Sequence, residues 1–225
     1  AEKTEIPAGV VNIVASSDHA LGEMLAADPR VDGVTFTGST ATGRRVMEVA
    51  SRTVKKVFLE LGGKSANVIL DDADAGAFGA GILTCTHGGQ GCAITTRMLV
   101  PRRRYDEALG ILEAAFRGAK YGDPNDPGVL QGPQVSKRQQ QRVLDYIEKG
   151  KREGARLVVG GGRPAHLPKG FYVEPTLFAD VDPKATIAQE EIFGPVLCVI
   201  PYDGDDDAVR IANDSIYGLS GAVVS

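Results

Sequence analysis

The sequence has few cysteines, no excess of basic residues and no long apolar run. Its three cysteines, Cys85, Cys92 and Cys198, are an odd number without C-x-x-C spacing, which favours free thiols in a reducing cytoplasm over a disulfide framework. With 25 Lys and Arg against 29 Asp and Glu, the net charge is −4, and this balance argues against a nucleic-acid surface. The apolar runs are shorter than the roughly 18 residues of a membrane-spanning helix, so no membrane segment is expected.

The two ends of the chain do not read as natural termini. The sequence begins at Ala1 rather than Met, shows no signal-peptide pattern, and stops at Ser225 within a segment of strand character. We therefore expect a cytoplasmic protein of which both ends have been cut.

Apolar patterns alternate along the first sixty residues between strands and helices. Strands are predicted at 9–14, 31–37 and 56–61, and helices at 17–27, with Asp18 as its cap, and at 44–51. This order is typical of an α/β fold with a mostly parallel sheet. A second α/β unit follows, with predicted strands at 67–70, 172–180 and 196–202, and helices at 73–85, 105–120, 137–153 and 206–213. Residues 98–100 form an apolar stretch that stops at Pro101, and 156–162 are predicted as a strand that runs into a glycine turn.

Glycines are densest just before Cys92. Three of the four preceding residues, Gly88, Gly89 and Gly91, are glycines, and each would cost about 1 kcal/mol in a helix interior relative to alanine. A tight turn that presents the thiol and its own N–H to a bound molecule is therefore predicted. The alternative is a buried, inert thiol, which is how single cysteines are usually found.

Glu60 lies between two leucines and leads into Gly62 and Gly63. A carboxylate in such surroundings has the properties of a general base that could serve a thiol nucleophile. The alternative is a solvent-facing carboxylate on an edge strand. A Cys–His dyad is a weaker rival, because His87, which shares the turn with Cys92, is expected to face solvent.

Two further segments have chemical character. Gly38, Ser39 and Gly43 lie between a predicted strand and helix, where free N–H groups and the helix dipole could hold a phosphate, although an ordinary strand–helix turn is the more common explanation of this pattern. The acid pair before Phe193, Glu190 and Glu191, could bind the hydroxyls of a sugar or form a polar turn. The acidic run at 203–207 does not match a calcium loop, and no metal site is expected.

Several of these segments together resemble the aldehyde dehydrogenase superfamily. The matching motifs are residues 59–65 (LELGGKS), 89–92 (GQGC) and 191–195 (EIFGP), with 36–39 (FTGS), 122–124 (GDP), 132–133 (GP) and 217–219 (YGL) as further landmarks. The resemblance covers essentially the whole chain. It implies the end of a Rossmann-like NAD(P)-binding domain at 1–62 and a truncated catalytic domain at 63–225.

The resemblance also implies a role for each motif residue. Cys92 would attack an aldehyde to give a thiohemiacetal, NAD or NADP would take the hydride, and Glu60 would activate the water that hydrolyses the thioester. The residues implied in cofactor binding are Gly38, Ser39, Gly43 and Leu61 at the first turn and Glu191 and Phe193 at the nicotinamide side. Lys64 and Gln90 would be supporting residues.

The resemblance further implies parts that are missing here. Family members have an N-terminal portion with the second oxyanion donor and adenosine contacts, and a C-terminal oligomerisation strand. Losing one oxyanion donor costs about 10²–10³ in rate, so little or no turnover is expected of this chain alone. The complete protein would be a homodimer or homotetramer acting on a small-molecule aldehyde. Two alternatives are a member that transfers the acyl group to coenzyme A, which retention of Glu60 argues against, and a non-catalytic nucleotide- or partner-binding module.

Overall fold

A computed structural model describes residues 4–225 of the chain. It divides into two compact units between Leu61 and Gly62, one residue before the boundary expected from the sequence.

The first unit contains one parallel strand pair with its connecting helix. Strand β1 (Gly33–Thr37) pairs in parallel with β2 (Lys56–Glu60), and α2 (Thr40–Ala50) with a short 3-10 turn (Ser51–Thr53) connects them. Helix α1 (Ala20–Ala27) precedes β1. The parallel pairing requires such a crossover, since a tight hairpin can join only antiparallel strands.

The strand predicted at 9–14 is wrong. These residues form turns and irregular structure, and Val10, Val11, Ile13 and Val14 are between 61% and 91% exposed. A strand needs a neighbour to satisfy its backbone groups, and in the described part of this unit the ladder consists of β1 and β2.

The start predicted for the helix after β1 is also wrong. Helix α2 begins at Thr40 rather than at residue 44, because the Ser39 hydroxyl accepts a hydrogen bond from the Thr42 N–H at 3.2 Å and caps the helix. Gly43 therefore lies in the first turn of α2 instead of in a loop. Asp18, predicted as the cap of α1, accepts a hydrogen bond from the Ala20 N–H at the first residue of that helix, while the N-cap position itself is His19.

The second unit is built on a six-stranded sheet in the order β5-β6-β7-β4-β3-β8. All neighbours are parallel except the edge strand β5, which is antiparallel to β6, so the predicted α/β fold with a mostly parallel sheet is confirmed. The strands are β3 (Ser65–Ile69), β4 (Thr95–Pro101), β5 (Arg156–Val159), β6 (Thr176–Ala179), β7 (Val196–Tyr202) and β8 (Gly221–Val224).

Helices cover the two faces of this sheet. They are α3 (Gly76–Gly79), α4 (Tyr105–Gly118), α5 (Lys137–Arg152), α6 (Thr186–Gln189) and α7 (Asp205–Asn213). Each face has its own apolar core: α5, α6 and α7 contribute to one, and α3 and α4 to the other. None of the helices within residues 4–225 is both long and apolar enough to cross a membrane.

Two element predictions in this unit need correction. The helix predicted at 73–85 is a single α-turn, α3, followed by a 3-10 segment (Ala80–Gly89). The glycines of this stretch disfavour an α-helix. One of them, Gly81, lies so close to Leu112 and Leu197 that a Cβ would be 2.5 and 2.8 Å from their side chains. The strand predicted at 172–180 enters the ladder only at Thr176, because Pro175 has no N–H to donate.

Candidate active site

The loop that carries Cys92 leaves the 3-10 segment through three consecutive residues with positive φ. His87, Gly88 and Gly89 have φ values of 53°, 65° and 70°, a region that glycine occupies without a steric penalty. His87 pays that penalty, and its side chain is exposed. The glycines thus form the expected turn, and Cys92 lies between the end of the 3-10 segment and the start of β4.

Cys92 is the accessible thiol of the three. Its side chain is partly exposed, whereas Cys85 and Cys198 are fully buried, and burial raises the pKa of both buried thiols. The Cys92 N–H has no hydrogen-bond acceptor within residues 4–225, and in the same range no histidine ring bonds to its sulfur. The residue therefore offers both a thiol and a free amide, the combination needed for attack on a carbonyl and for stabilising the oxyanion.

Backbone contacts and two glutamines hold the loop in place. Gly89 packs directly on the peptide bond between Gly194 and Pro195, where a Cβ would lie 2.5 Å from the Pro195 nitrogen. Gln134 donates to the Gly88 carbonyl at 2.8 Å, and the Gln90 side chain accepts from the Val135 N–H at 2.8 Å. Gln90 thus braces the loop from within, which agrees with a supporting role.

Glu191 contacts the turn that follows Glu60 in the sequence. Its carboxylate accepts a hydrogen bond from the Gly63 N–H at 3.1 Å and lies against Gly62, where a Cβ would be 2.9 Å from the Glu191 carboxyl carbon. Gly63 also lies against the Cys92 carbonyl, 2.7 Å from where its Cβ would be. The structure thus places the Gly62–Gly63 turn between Glu191 and the Cys92 loop.

The segment around Phe193 is clamped by helix α5. Phe193 has φ 60°, and its carbonyl accepts from Gln139 at 2.7 Å. Arg142 donates to the Glu191 carbonyl at 2.7 Å, and the Tyr146 hydroxyl donates to the Glu190 carboxylate at 2.6 Å. These three α5 residues were not predicted from the sequence, although their i, i+3, i+7 spacing places polar groups on one helix face.

Lys64 is a buried cation beside this turn. It is 2% exposed, and its ammonium has no hydrogen-bond partner within the described residues, so burial lowers its pKa. Its carbonyl accepts from buried Arg97 at 2.8 Å. The carboxylates that act on the Lys64 charge belong to Glu190 and Glu191, which links this lysine to the clamped segment.

The remaining predicted residues lie in the first unit. Glu60 ends β2 with an exposed side chain, and its carbonyl accepts from the Gly38 N–H at 3.0 Å. Gly43 packs on Leu61, where a Cβ would be 2.5 Å from Leu61 Cδ2, and its N–H bonds to the Ser39 carbonyl. Gly43 thus makes a close contact between helix α2 and the residue that follows β2.

The predicted residues accordingly fall into two groups. Cys92, Glu191 and Phe193 belong to the second unit, where the Gly62–Gly63 turn and the Gly89–Gly194 contact connect them. Glu60, Gly38, Ser39, Gly43 and Leu61 belong to the first unit. Over residues 4–225, no group of three or more His, Cys, Asp or Glu side chains is arranged to hold a metal ion.

Similarity to known proteins is high over the whole chain. Residues 1–225 match the model of the aldehyde dehydrogenase family. A 3-succinoylsemialdehyde-pyridine dehydrogenase from a Pseudomonas species is 47% identical over 227 residues, which are 100% of this chain and 48% of that protein.

Two solved structures share the fold. An aldehyde dehydrogenase of Mycobacterium tuberculosis complexed with NAD+ has a TM-score of 0.88 and 51% identity, covering 91% of this chain and 43% of that one. A Cys-to-Ala mutant of aldehyde dehydrogenase C from Pseudomonas syringae, complexed with NAD+ and octanal, has a TM-score of 0.89 and 44% identity, covering 91% and 43%.

The matches cover nearly all of this chain but less than half of each relative named above. The chain spans about half the length of the curated relatives it matches, while the family model matches all of its 225 residues. With identities of 44–51% to the proteins above, the chain belongs to the aldehyde dehydrogenase family.

Proposed function

We propose that the chain provides the thiol-bearing site and part of the cofactor site of an enzyme that oxidises an aldehyde to a carboxylic acid with NAD(P)+. The observation that carries this proposal is Cys92: it is partly exposed, its N–H has no acceptor among residues 4–225, and it lies on a glycine loop braced against the Glu191–Pro195 segment. Family membership supports the reaction class.

Cys92 begins the reaction as the nucleophile. Its thiolate forms a C–S bond to the aldehyde carbon while the carbonyl π electrons move to oxygen, and the Cys92 N–H stabilises that oxyanion. When bound, NAD(P)+ supplies the acceptor for the hydride that leaves this carbon as the carbonyl re-forms and the thioester results.

Glu60 completes the turnover as the general base. Its carboxylate takes a proton from water, the resulting hydroxide adds to the thioester carbonyl, and the C–S bond breaks to release the carboxylic acid and the thiolate. Glu60 stands at the carboxyl end of β2, where active-site residues of parallel sheets are found.

Two features of the chain fit a dinucleotide. The N–H groups of Thr40 and Ala41, at the start of the 11-residue helix α2, have no acceptor within the described part of the chain and could hold a pyrophosphate. Glu191 uses one carboxylate oxygen for Gly63, so the other can accept from a ribose hydroxyl, with Phe193 beside the nicotinamide. Both solved relatives were complexed with NAD+, which supports NAD+ as the cofactor.

Thiol labelling followed by mass spectrometry tests the nucleophile. With limiting iodoacetamide we expect the Cys92 peptide to be labelled first, because the other two thiols are buried. Faster labelling of Cys85 or Cys198 would show that the nucleophile is misassigned.

Adduct formation then tests the reaction itself. Octanal with NAD+ should leave an octanoyl group on the Cys92 peptide of the wild-type chain and none after Cys92→Ser. Glu60→Gln should allow the same adduct to form and prolong its lifetime. An adduct whose lifetime is unchanged by Glu60→Gln contradicts the role of Glu60 without affecting that of Cys92. Steady-state turnover of this chain is expected to be very low.

A further inference from the structure

The segment Glu190–Phe193 depends on groups outside itself for its conformation. It lies between the end of α6 and the start of β7, and Phe193 has φ 60°, a region that a residue with a Cβ adopts only at a cost in energy. Gly194 follows, with Val143 Cγ1 2.7 Å from where its Cβ would lie. Such a backbone persists because its surroundings hold it.

Helix α5 supplies that hold through three side chains on one face. Gln139 donates to the Phe193 carbonyl at 2.7 Å and more weakly to the Ile192 carbonyl at 3.3 Å. Arg142 donates to the Glu191 carbonyl at 2.7 Å. Successive carbonyls of the segment are thereby fixed, and the Glu191 side chain leaves this segment toward the Gly63 N–H.

Tyr146 is the third of these side chains, and it contacts both Glu190 and Arg142. Its hydroxyl donates to the Glu190 carboxylate at 2.6 Å and accepts from the Arg142 guanidinium at 3.3 Å. The guanidinium carbon lies 4.9 Å from the centre of the Tyr146 ring, and the ring packs against the buried core. One phenol therefore connects the rigid core to both Glu190 and Arg142.

The Tyr146 hydroxyl is a donor throughout the neutral range. Burial, together with the hydrogen bond to Glu190, raises the pKa of this phenol to about 12. The bond is charge-assisted because its acceptor is a carboxylate, and such bonds are stronger than neutral ones.

We propose that Tyr146 is a positioning residue: by holding Glu190 and Arg142, its hydroxyl sets the path of the Glu191–Phe193 backbone and so aims both side chains at the nicotinamide half of the cofactor. That Glu191 and Phe193 face a cofactor rests on the function proposed above. That Tyr146 fixes the conformation of the segment rests on its hydrogen bonds alone.

The test is Tyr146→Phe, which removes only the hydroxyl, measured by calorimetric titration with NAD+ and, separately, with inorganic pyrophosphate. We expect NAD+ to bind about five- to tenfold more weakly, as when part of the free energy of a charge-assisted hydrogen bond is lost to the ligand. Pyrophosphate contains no nicotinamide half and is expected at the N–H groups that begin α2, so its affinity should stay within about twofold. Equal losses for both ligands, or no loss of NAD+ affinity, would overturn the proposal.

A second measurement reports on the segment without any ligand. Cleavage by a glutamate-specific protease after Glu190 and Glu191, followed by mass spectrometry, should be several-fold faster in Tyr146→Phe because the segment opens more often. Tyr121→Phe is the matched control: that ring contacts His166 in another loop, and its cleavage pattern should equal the wild type. Unchanged cleavage in Tyr146→Phe overturns the positioning role whether or not the chain binds NAD+.

Glu190→Ala approaches the same bond from its other end. It should reproduce the weaker NAD+ binding and the faster cleavage after Glu191, and the double variant with Tyr146→Phe should be no worse than either single one, since the two changes remove one interaction. Additive losses would mean that the two residues act independently. A wild-type chain that binds neither NAD+ nor pyrophosphate would refute the proposed cofactor site alone.

Discussion

Replacing Gly89 with alanine is expected to destabilise the second unit strongly, because two independent costs coincide at this position. The backbone has φ 70°, which costs about 1–2 kcal/mol for a residue with a Cβ. The new methyl group would also lie 2.5 Å from the Pro195 nitrogen and closer still to the Gly194 carbonyl group. Overpacking of this kind costs about 1–3 kcal/mol, and backbone atoms cannot rotate away. The sum is roughly 2–5 kcal/mol.

Urea unfolding followed by circular dichroism measures this loss, with Gly110→Ala as the matched control. Gly110 lies within helix α4, and no heavy atom lies within 4 Å of its added Cβ, so the same substitution should there raise the free energy of unfolding by about 0.5–1 kcal/mol. Opposite signs at the two sites are expected. If Gly89→Ala is as stable as the wild type, the contact between the Cys92 loop and the Gly194 peptide does not exist as described.

Substitutions at three further positions test other parts of the chain. Lys64→Met should raise the free energy of unfolding by about 1–3 kcal/mol at neutral pH, because it removes a buried charge without a hydrogen-bond partner. Burial lowers the Lys64 pKa, so the unfolded chain binds this proton more tightly than the folded chain does. The free energy of unfolding of the wild type should therefore rise as pH increases toward the unfolded pKa of about 10.4. Urea titrations at several pH values should show a weaker pH dependence of this free energy for Lys64→Met. Ser39→Ala should lower the free energy of unfolding by about 1 kcal/mol because the cap to the Thr42 N–H is lost, while Ser39→Gly should lower it by only a few tenths of a kcal/mol. Equal decreases for the two variants in urea unfolding would contradict the capping role. Gly62→Ala should change the free energy of unfolding by less than about 1 kcal/mol, because the Glu191 side chain can rotate away. The same rotation should weaken NAD+ binding in calorimetry, and an unchanged NAD+ affinity would show that Glu191 does not contribute to cofactor binding.

Elements governed by local chemistry were predictable from the sequence. Strands such as β2 and β7 follow from short apolar runs, and the turn before Cys92 follows from its glycines. The Ser39 cap also has a local signal, a hydroxyl three residues before the N–H it accepts, and recognising it would have placed the start of α2 correctly. The strand expected at 9–14 failed because an apolar run specifies a strand only where another strand can pair with it.

Contacts between distant parts of the chain were beyond local reasoning. The Gly63–Glu191 hydrogen bond joins residues 128 positions apart, and the Tyr146–Glu190 bond spans 44 positions. A glutamate and a glycine have no pairwise pattern that would reveal such a contact. The family resemblance implied a site role for Glu191, but the α5 side chains that hydrogen-bond to its segment could be recognised only from the folded structure, where α5 lies beside the end of α6.

Gly194 connects helix α5 with the loop that carries Cys92. Its backbone is packed between Val143 of α5 on one side and Gly89 of the Cys92 loop on the other. Because protein interiors are close-packed and not continuously deformable, a shift of α5 cannot move Glu191 and Phe193 without also pressing on the loop that presents the thiol. Substitutions on the polar face of α5 should therefore alter cofactor affinity and Cys92 labelling together, whereas those on the opposite face should alter neither.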